Sequence, residues 1–442
     1  MRHALLLFAV LPTCLVSCAL TPDGEPSPQA RPRPPVSARH MVAYTGTPPE
    51  PASPPAAAYQ GRLTLADALA FAERLHPELT AAQADVEGAE GRALQAGLFP
   101  NPELVARTES APLSGHDAEQ AEYVVGISQP FPLGRRLSVA RRVEVLDRDR
   151  LVQEREGKRW EVRMTVQSAF ATALYWQRVT QERAEDVRLA EHGVSVAKAR
   201  LAAGDAIPTE VGQTEVELGR AQLELERATS LHAQAMEALA TSMGAPSFQV
   251  GVLEGSLEEP LALPTLEALL SRLEGSPALA AAEADVAVKR ARIELAETQR
   301  TPDVSLDLSY RRLGNVENAL DVGVRLPIPL FNRYQGRIQE ARADLAATEA
   351  RARSTRHERT RELQASYRKL ARAVASAKLL REAILPRAES VLQGAETRYT
   401  NGDISLAELV TLRRDWTRAR LDYLESLNDV MQAWAALLPY LH

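Results

Sequence analysis

Cysteine is almost absent from this 442-residue chain, which contains only Cys14 and Cys18. Two cysteines close to the start leave the rest of the chain without a disulfide framework, a thiol nucleophile or a cysteine-ligated metal site. Aromatic residues make up only 5% of the sequence, and the eight histidines are scattered without the spacing of metal ligands. We therefore expect no metal centre and no cofactor.

Long apolar runs and the common catalytic motifs are missing as well. Beyond the start of the chain, no apolar stretch is long enough for a transmembrane helix. No glycine-rich phosphate loop, His-Glu-x-x-His or Gly-x-Ser-x-Gly motif occurs. The formal net charge is -6 and basic residues are spread throughout, so the sequence offers no basic patch for nucleic acid. These absences argue against an enzyme and against a nucleic-acid-binding protein.

The first residues have the pattern of a lipoprotein signal. A short basic start precedes an apolar stretch that ends in Leu15-Val16-Ser17-Cys18, which resembles a bacterial lipobox. We predict a signal peptide over 1–17 and acylation of the Cys18 sulfur. The alternative is a non-lipidated signal peptide with a chance cysteine. Residues 18–60 are rich in Pro, Ala and Ser and are predicted to form an extended tether to the lipid.

The chain contains an internal sequence repeat with two copies. The segment PELTAAQAD from Pro77 is matched by PALAAAEAD from Pro277, and the two copies stay in step to their ends. Such a register indicates a duplicated structural unit. We predict a first repeat over 61–243, a non-helical connector over 244–264 and a second repeat over 265–442.

Each repeat is predicted to contain one very long helix. Arg135–Ala203 has no proline, and at 1.5 Å per residue it would extend about 100 Å. Tyr334–Thr400 is its counterpart, which Pro386 is expected to bend. Shorter helices on either side, such as those that open at Pro77 and Thr209, would stack end to end along the long helix and cover it.

Each repeat also contains a predicted strand pair with alternating apolar and polar residues. The pairs are 103–111 with 121–129, and 303–311 with 320–326. Such alternation fits soluble hairpins on a core, or membrane strands with one face on lipid and a charged face on water. Four strands cannot close a barrel, because the smallest bacterial barrels have about eight, so membrane strands would require an oligomer.

Three motifs resemble those of TolC-type outer-membrane efflux factors. They are Phe99-Pro100-Asn101-Pro102-Glu103-Leu104, the Gln129–Arg136 entry to the long helix, and the paired Arg-x-x-x-Gly-Asp turns. The first two are closest to the branch that serves cobalt-zinc-cadmium and copper efflux. The resemblance implies a mainly α protein with a small β part: a homotrimeric α-helical tunnel in the periplasm plus a 12-stranded transmembrane β-barrel in the bacterial outer membrane.

The resemblance also implies a function and partners. The protein would be the exit duct of a tripartite pump that exports metal cations or small toxic compounds. Its partners would be a periplasmic adaptor (membrane fusion protein) and an inner-membrane RND-type pump. The residues expected at the adaptor-docking tips are Arg200, Leu201, Gly204, Asp205, Arg398, Tyr399, Gly402 and Asp403.

Two acidic residues are candidates for a constriction of the tunnel. Glu389 and Glu396 lie one heptad apart on the second long helix, and a ring of carboxylates would favour cations. The alternative is an ordinary solvated face. For the whole protein, the alternative to an exit duct is a periplasmic coiled-coil structural lipoprotein that places no strands in the membrane.

Overall fold

The computed structural model describes residues 59–109, 121–204, 206–258, 264–313 and 317–441. The predicted signal peptide, Cys18 and nearly all of the predicted tether lie outside these residues, and so does Asp205. The described part is mainly helical with a small amount of strand, as the sequence predicts.

The elements alternate long helices with short strands. The helices are α1 (Leu65–Leu75), α2 (Pro77–Ala96), α3 (Arg136–Ala203), α4 (Pro208–Ser242), α5 (Leu266–Leu273), α6 (Pro277–Thr298), α7 (Gln335–Leu379), α8 (Leu385–Thr400) and α9 (Leu406–Ala435). The strands are β1 (Tyr59–Thr64), β2 (Glu103–Glu109), β3 (Glu122–Phe131), β4 (Val250–Glu254), β5 (Val304–Leu313) and β6 (Glu317–Arg325).

Helices α2 and α6 open at equivalent prolines, as predicted. A proline at the first helical position loses nothing, because its missing N–H would have no partner inside the helix. Before α2, the Nδ1 atom of His76 accepts a hydrogen bond from the Glu78 N–H at 3.3 Å, so His76 is the N-cap residue.

The second long helix is interrupted where proline predicts it. Helix α7 passes through a single π-helical turn, Leu380–Ile384, into α8, and Pro386 lies at the start of α8. Proline lacks a backbone N–H and its ring crowds the carbonyl four residues earlier, so the wider turn accommodates it.

The helices form a wall one helix thick in which each long helix is covered as predicted. Near the four-stranded sheet the packing order is α2, α3, α6, α7. At the other end α4 packs on α3, and α9 packs on α3, α7 and α8. The broken pairs α2 with α4, and α6 with α9, therefore run along the two continuous helices.

A four-stranded antiparallel sheet with the order β2-β3-β5-β6 joins the repeats at one end of the wall. Strands β3, β5 and β6 differ from their predicted bounds. Strand β3 continues to Phe131, β5 runs from Val304 to Leu313, and β6 begins at Glu317 and ends at Arg325. Residues 317–319 alternate too weakly to be recognised in the sequence, and their pairing with β5 is what extends the strand.

A second sheet lies midway along the wall. Strand β4 falls inside the predicted connector and pairs in parallel with β1. The sequence does not predict β1 or this pairing. The predicted tether over 18–60 therefore ends too late, because Tyr59 already belongs to β1. The side-chain amide of Gln177 donates to the Leu253 carbonyl and accepts from the Leu253 N–H, both at 3.0 Å, so it fixes β4 to α3.

The main hydrophobic core surrounds this second sheet. It gathers α1, the unpredicted α5, the middle of α3 and the ends of α4 and α9. Leu63, Leu239, Leu269 and Leu363 are fully buried in it. In the described part of the chain, no helix combines the length and hydropathy needed to cross a bilayer.

Candidate functional site: the sheet, the helix tips and the groove between them

One face of the four-stranded sheet is apolar and exposed. Leu308 is 49% exposed, and its cross-strand neighbours Ile127 and Val322 are 53% and 68% exposed. The other large apolar residues of this face are Leu104, Tyr123, Val125, Leu306, Tyr310, Leu320 and Val324. Contiguous exposed apolar surface of this kind marks contact with lipid or with another protein.

The opposite face of the sheet carries charges that pair across the strands. The Arg311 Nε atom lies 2.8 Å from Asp321 Oδ2, and its Nη1 atom lies 2.9 Å from Glu122 Oε2. Arg325 donates to Asp307 at 3.1 Å. The alternation predicted from the sequence is therefore present, with fully charged side chains opposite an exposed apolar face.

Further exposed apolar residues lie in the segments that join the strands to the helices. The rings of Phe99 and Phe131 pack edge to face with centroids 5.7 Å apart. After β6, Ile328, Leu330 and Phe331 are 73%, 64% and 91% exposed. The sequence motifs include Phe99 and Phe131, but they do not predict that the two rings contact each other, because the contact depends on how the segments pack.

At the far end of the wall, two tight turns form the helix tips. Gly204 and Gly402 have φ angles of +84° and +79°, a left-handed conformation that glycine adopts without strain. Ser405, and not Asp403, is the N-cap residue of α9. The Asp403 N–H donates to the Arg398 carbonyl at 2.8 Å, and the side chain of Ser405 caps α9 by accepting from the Glu408 N–H.

The two tips touch each other through residues that the sequence singles out separately. Arg200 Nη1 donates to the Tyr399 hydroxyl at 2.7 Å, and its guanidinium lies 5.4 Å from the centre of the same ring. Leu201 and Arg398 are both exposed or partly exposed beside this contact. The contact joins α3 to α8, which belong to different repeats.

The two constriction candidates have different surroundings. Glu396 lies 3.1 Å from Arg413 Nη2, so its charge is partly balanced within the chain. Glu389 is exposed and forms no ion pair with any residue that the structure describes. Of the two, Glu389 is the one whose charge no described residue of the chain balances.

A groove of about 1030 Å³ separates the α3–α4 pair from the α8–α9 pair, and polar contacts bridge it. Thr417 donates to Asp186 at 3.1 Å, and Arg420 donates to Glu182 at 2.5 Å. Burial raises the pKa of both carboxyl groups above their usual range, against the opposing effect of Arg420. Sequence reasoning missed these pairs, since each joins residues from different repeats and no local pattern marks them.

Within the described ranges, no three His, Cys, Asp or Glu side chains come together as metal ligands. The functional features are therefore surfaces: an apolar sheet at one end, paired tips at the other and a helical wall between them. This combination defines the class of two-repeat helical proteins with a small exposed sheet at one end and paired helix turns at the other.

Comparison with known proteins gives the family. The model for "Outer membrane efflux protein" matches residues 69–245 and 269–441, and the chain belongs to this family. The cobalt-zinc-cadmium resistance protein CzcC of Cupriavidus metallidurans is 30% identical over 394 residues, which cover 88% of this chain and 92% of CzcC. The resemblance predicted from the motifs is confirmed.

Solved structures show the same fold. The outer-membrane channel OprN aligns with a TM-score of 0.70 at 14% identity, over 85% of this chain and 89% of OprN. The outer membrane protein VceC of Vibrio cholerae aligns with a TM-score of 0.63 at 19% identity, over 85% of this chain and 95% of VceC. Proteins of this family are transporters rather than enzymes.

Proposed function

We propose that the protein is the homotrimeric exit duct of a tripartite efflux pump. In this proposal its sheets form a 12-stranded barrel in the outer membrane, its helices form a tunnel in the periplasm, and Cys18 carries a lipid anchor. The cargo is proposed to be a metal cation, in line with the metal-resistance relative, or a small toxic compound.

One observation carries the proposal. The elements by which the two repeats contact each other have equivalents at the two outer edges of the chain, and within the described residues these equivalents do not pack on each other. Within the chain, the repeats meet at β3–β5, at α3–α6 and at α3–α9. Because the repeats are equivalent, the same joints at the outer edges would be β6 with β2, α7 with α2 and α8 with α4 of another copy. Repeated units stack because none of them buries its faces alone.

Ring closure follows from the order of the elements. The same order holds in the sheet and at both levels of the wall, so one rotation can bring all three edges together. Strands β6 and β2 run in opposite directions in the sheet, so they can pair antiparallel across copies. Three copies of a 4-stranded sheet supply twelve strands and leave no strand edge unpaired.

The surfaces of the described residues then acquire roles. The apolar sheet face would contact lipid, and the ion pairs Arg311–Asp321 and Arg325–Asp307 would line water. The Gly204 and Gly402 turns would meet the periplasmic adaptor, which connects the duct to an inner-membrane RND-type pump. Glu389, and to a smaller degree Glu396, would make the narrow end favour cations.

Conductance of the purified full chain in a planar bilayer tests the proposal. Discrete channel openings with a preference for cations are expected, and the preference should fall when Glu389 is replaced by Lys. The matched control is Glu340→Lys, which changes an exposed carboxylate near the start of α7, far from the helix tips.

An elongated monomer that stays in aqueous solution without detergent would instead support a periplasmic structural lipoprotein. Trimers that insert into the bilayer and conduct nothing, even after the tips are freed by Arg200→Ala, would also contradict an exit duct.

A further inference from the structure

We infer that the tunnel wall has two kinds of joint, and that the joint between copies is an apolar seam made by α8 of one copy and α4 of the next. The seam consists of Ile384 and Val391 at α8 and of Val216, Gly219 and Leu223 on α4. This inference rests on the proposed trimer and adds to it the surface that each copy offers to its neighbour.

Between the main core and the tips, the joint within one chain is bridged by polar contacts. Where α3 faces α9, Asp186 accepts a hydrogen bond from Thr417 at 3.1 Å and Glu182 accepts one from Arg420 at 2.5 Å. Further along the same two helices, the Gln432 amide donates to the Thr172 hydroxyl at 2.9 Å.

The tip glycines identify the equivalent residues at the joint between copies. Ile384 lies as far before Gly402 as Asp186 lies before Gly204, and Gly219 lies as far after Gly204 as Thr417 lies after Gly402. The pair Asp186–Thr417 of the internal joint therefore corresponds to Ile384 with Gly219 of the next copy. A hydrogen-bonded pair is replaced by an apolar side chain and a glycine.

The seam residues lie at heptad spacing on two exposed helix faces, the α8 stripe and the α4 stripe. Ile384 and Val391 are one heptad apart and are 40% and 53% exposed. Val216 and Leu223 are one heptad apart on α4 and are 55% and 50% exposed. Gly219 lies between them, and an added Cβ there would meet no atom of the chain within 4 Å.

The α4 stripe faces away from its own long helix. Helix α4 buries Val211, Ala228 and Leu239 against the rest of the chain, and Val216 and Leu223 lie on the other side. Glycine between two apolar residues allows a facing helix to approach closely, and the bulk of Ile384 can fill the space that Gly219 leaves. Packing the two stripes against each other would therefore remove their apolar side chains from water.

The occupant of each stripe is a second copy of this chain, because the internal α3–α9 contact already shows how helices at these positions pack. The α8 stripe has its equivalent in the α3 face that contacts α9, and the α4 stripe has its equivalent in the α9 face that contacts α3. Each copy thus contains the complete α3–α9 contact. It also offers two further surfaces, the α8 stripe and the α4 stripe, to its two neighbours.

Disulfide trapping tests the seam directly. The paired substitutions Ile384→Cys and Gly219→Cys are introduced into the full chain, which is then oxidised in membranes and separated on a non-reducing denaturing gel. Covalent dimers and trimers are expected. The control pair is Glu382→Cys with Gly219→Cys, because Glu382 is exposed about half a turn away from Ile384, and this pair should remain largely monomeric.

A second variant needs no new covalent bond. Val391→Glu places a charge in the seam, and Gln393→Glu places the same charge on the same helix outside it. Size-exclusion chromatography with light scattering of the detergent-purified proteins should show loss of trimer for Val391→Glu at a concentration where wild type and Gln393→Glu are trimeric.

The outcomes separate the seam from the proposed trimer. If wild type is trimeric but neither the trapping nor Val391→Glu shows an effect, the seam is wrong and the trimer stands. Equal trapping of the Glu382 and Ile384 pairs would also overturn it. If wild type is monomeric, both proposals fail.

Discussion

Gly244 is the residue whose missing side chain matters most for the centre of the wall. It follows α4 with a φ angle of +77°, and a Cβ there would lie 2.7 Å from the His76 Cα atom. Gly244→Ala should therefore lower the free energy of unfolding by about 1–3 kcal/mol, measured as a lower melting temperature. Gly193→Ala in α3 is the control, since nothing lies within 4 Å of its added Cβ. If Gly244→Ala melted at the same temperature as wild type, the close approach of Gly244 to His76 would be contradicted.

Asp186 gives the internal joint a dependence on pH. Burial raises the pKa of this carboxyl group, so the folded state binds the proton more tightly than the unfolded state. Stability contributed by Asp186 is therefore greatest at low pH, and it falls as the pH rises above the usual Asp value of 3.8 through the raised value.

Asp186→Asn tests this sign. Asparagine keeps an oxygen that can accept from Thr417 and removes the buried charge. We expect a higher melting temperature than wild type at pH 7 and a difference that shrinks as the pH approaches 4. The control is Gln393→Asn, which changes an exposed side chain that carries no titratable group and should leave the pH dependence of the melting temperature as in wild type. If the melting temperature of Asp186→Asn relative to wild type were lower at pH 7 than at pH 4, a raised pKa of Asp186 would be contradicted.

Among the elements, β5 carries the clearest test of a membrane face. Leu308 lies in the middle of the exposed apolar face between Ile127 and Val322. Leu308→Arg would place a charge against lipid at a cost of about 2–4 kcal/mol per chain. The expected result is loss of assembled protein from the outer-membrane fraction. Leu308→Phe keeps the face apolar and should assemble normally, and normal assembly of Leu308→Arg would contradict lipid contact.

Elements bounded by proline and glycine were predictable, and elements that depend on distant partners were not. Helices α2 and α6 begin at their prolines, and α3 ends at Gly204, because these residues act on the local backbone. Strand β1 is defined only by its pairing with β4, far along the chain, and α5 is too short to show periodicity.

The candidate site divides in the same way. The sequence predicted the tip turns, because left-handed glycine is a local requirement. It could not predict that Arg200 would contact Tyr399 or that Asp186 would contact Thr417, because each contact depends on how the two repeats pack. The polar internal joint, like the apolar stripes at the edges, becomes visible only when equivalent helices are compared in space.

For the molecule as a whole, apolar surface and apolar core are distributed unevenly along the wall. Most of the exposed large apolar residues lie on or beside the four-stranded sheet, and the main core lies around β1 and β4. Beside the tips lies a much smaller buried cluster, which consists of Leu392, Ala395, Ile404 and Leu409. Because the main core is distant from the tips, the turns can be altered without unfolding the wall.

The tips are where the whole molecule should be most sensitive in function and least sensitive in assembly. Valine is β-branched and strongly disfavoured at the left-handed φ angles of Gly204 and Gly402, so the double variant Gly204→Val, Gly402→Val should distort both turns. We expect export from cells to fall while trimers still reach the outer membrane, measured by cation accumulation and by native gels of membrane fractions. The control is Gly193→Val, where an added side chain meets open space. Unchanged export from the double variant would mean that docking tolerates distorted tips, and loss of the trimer would mean that the tips serve assembly instead.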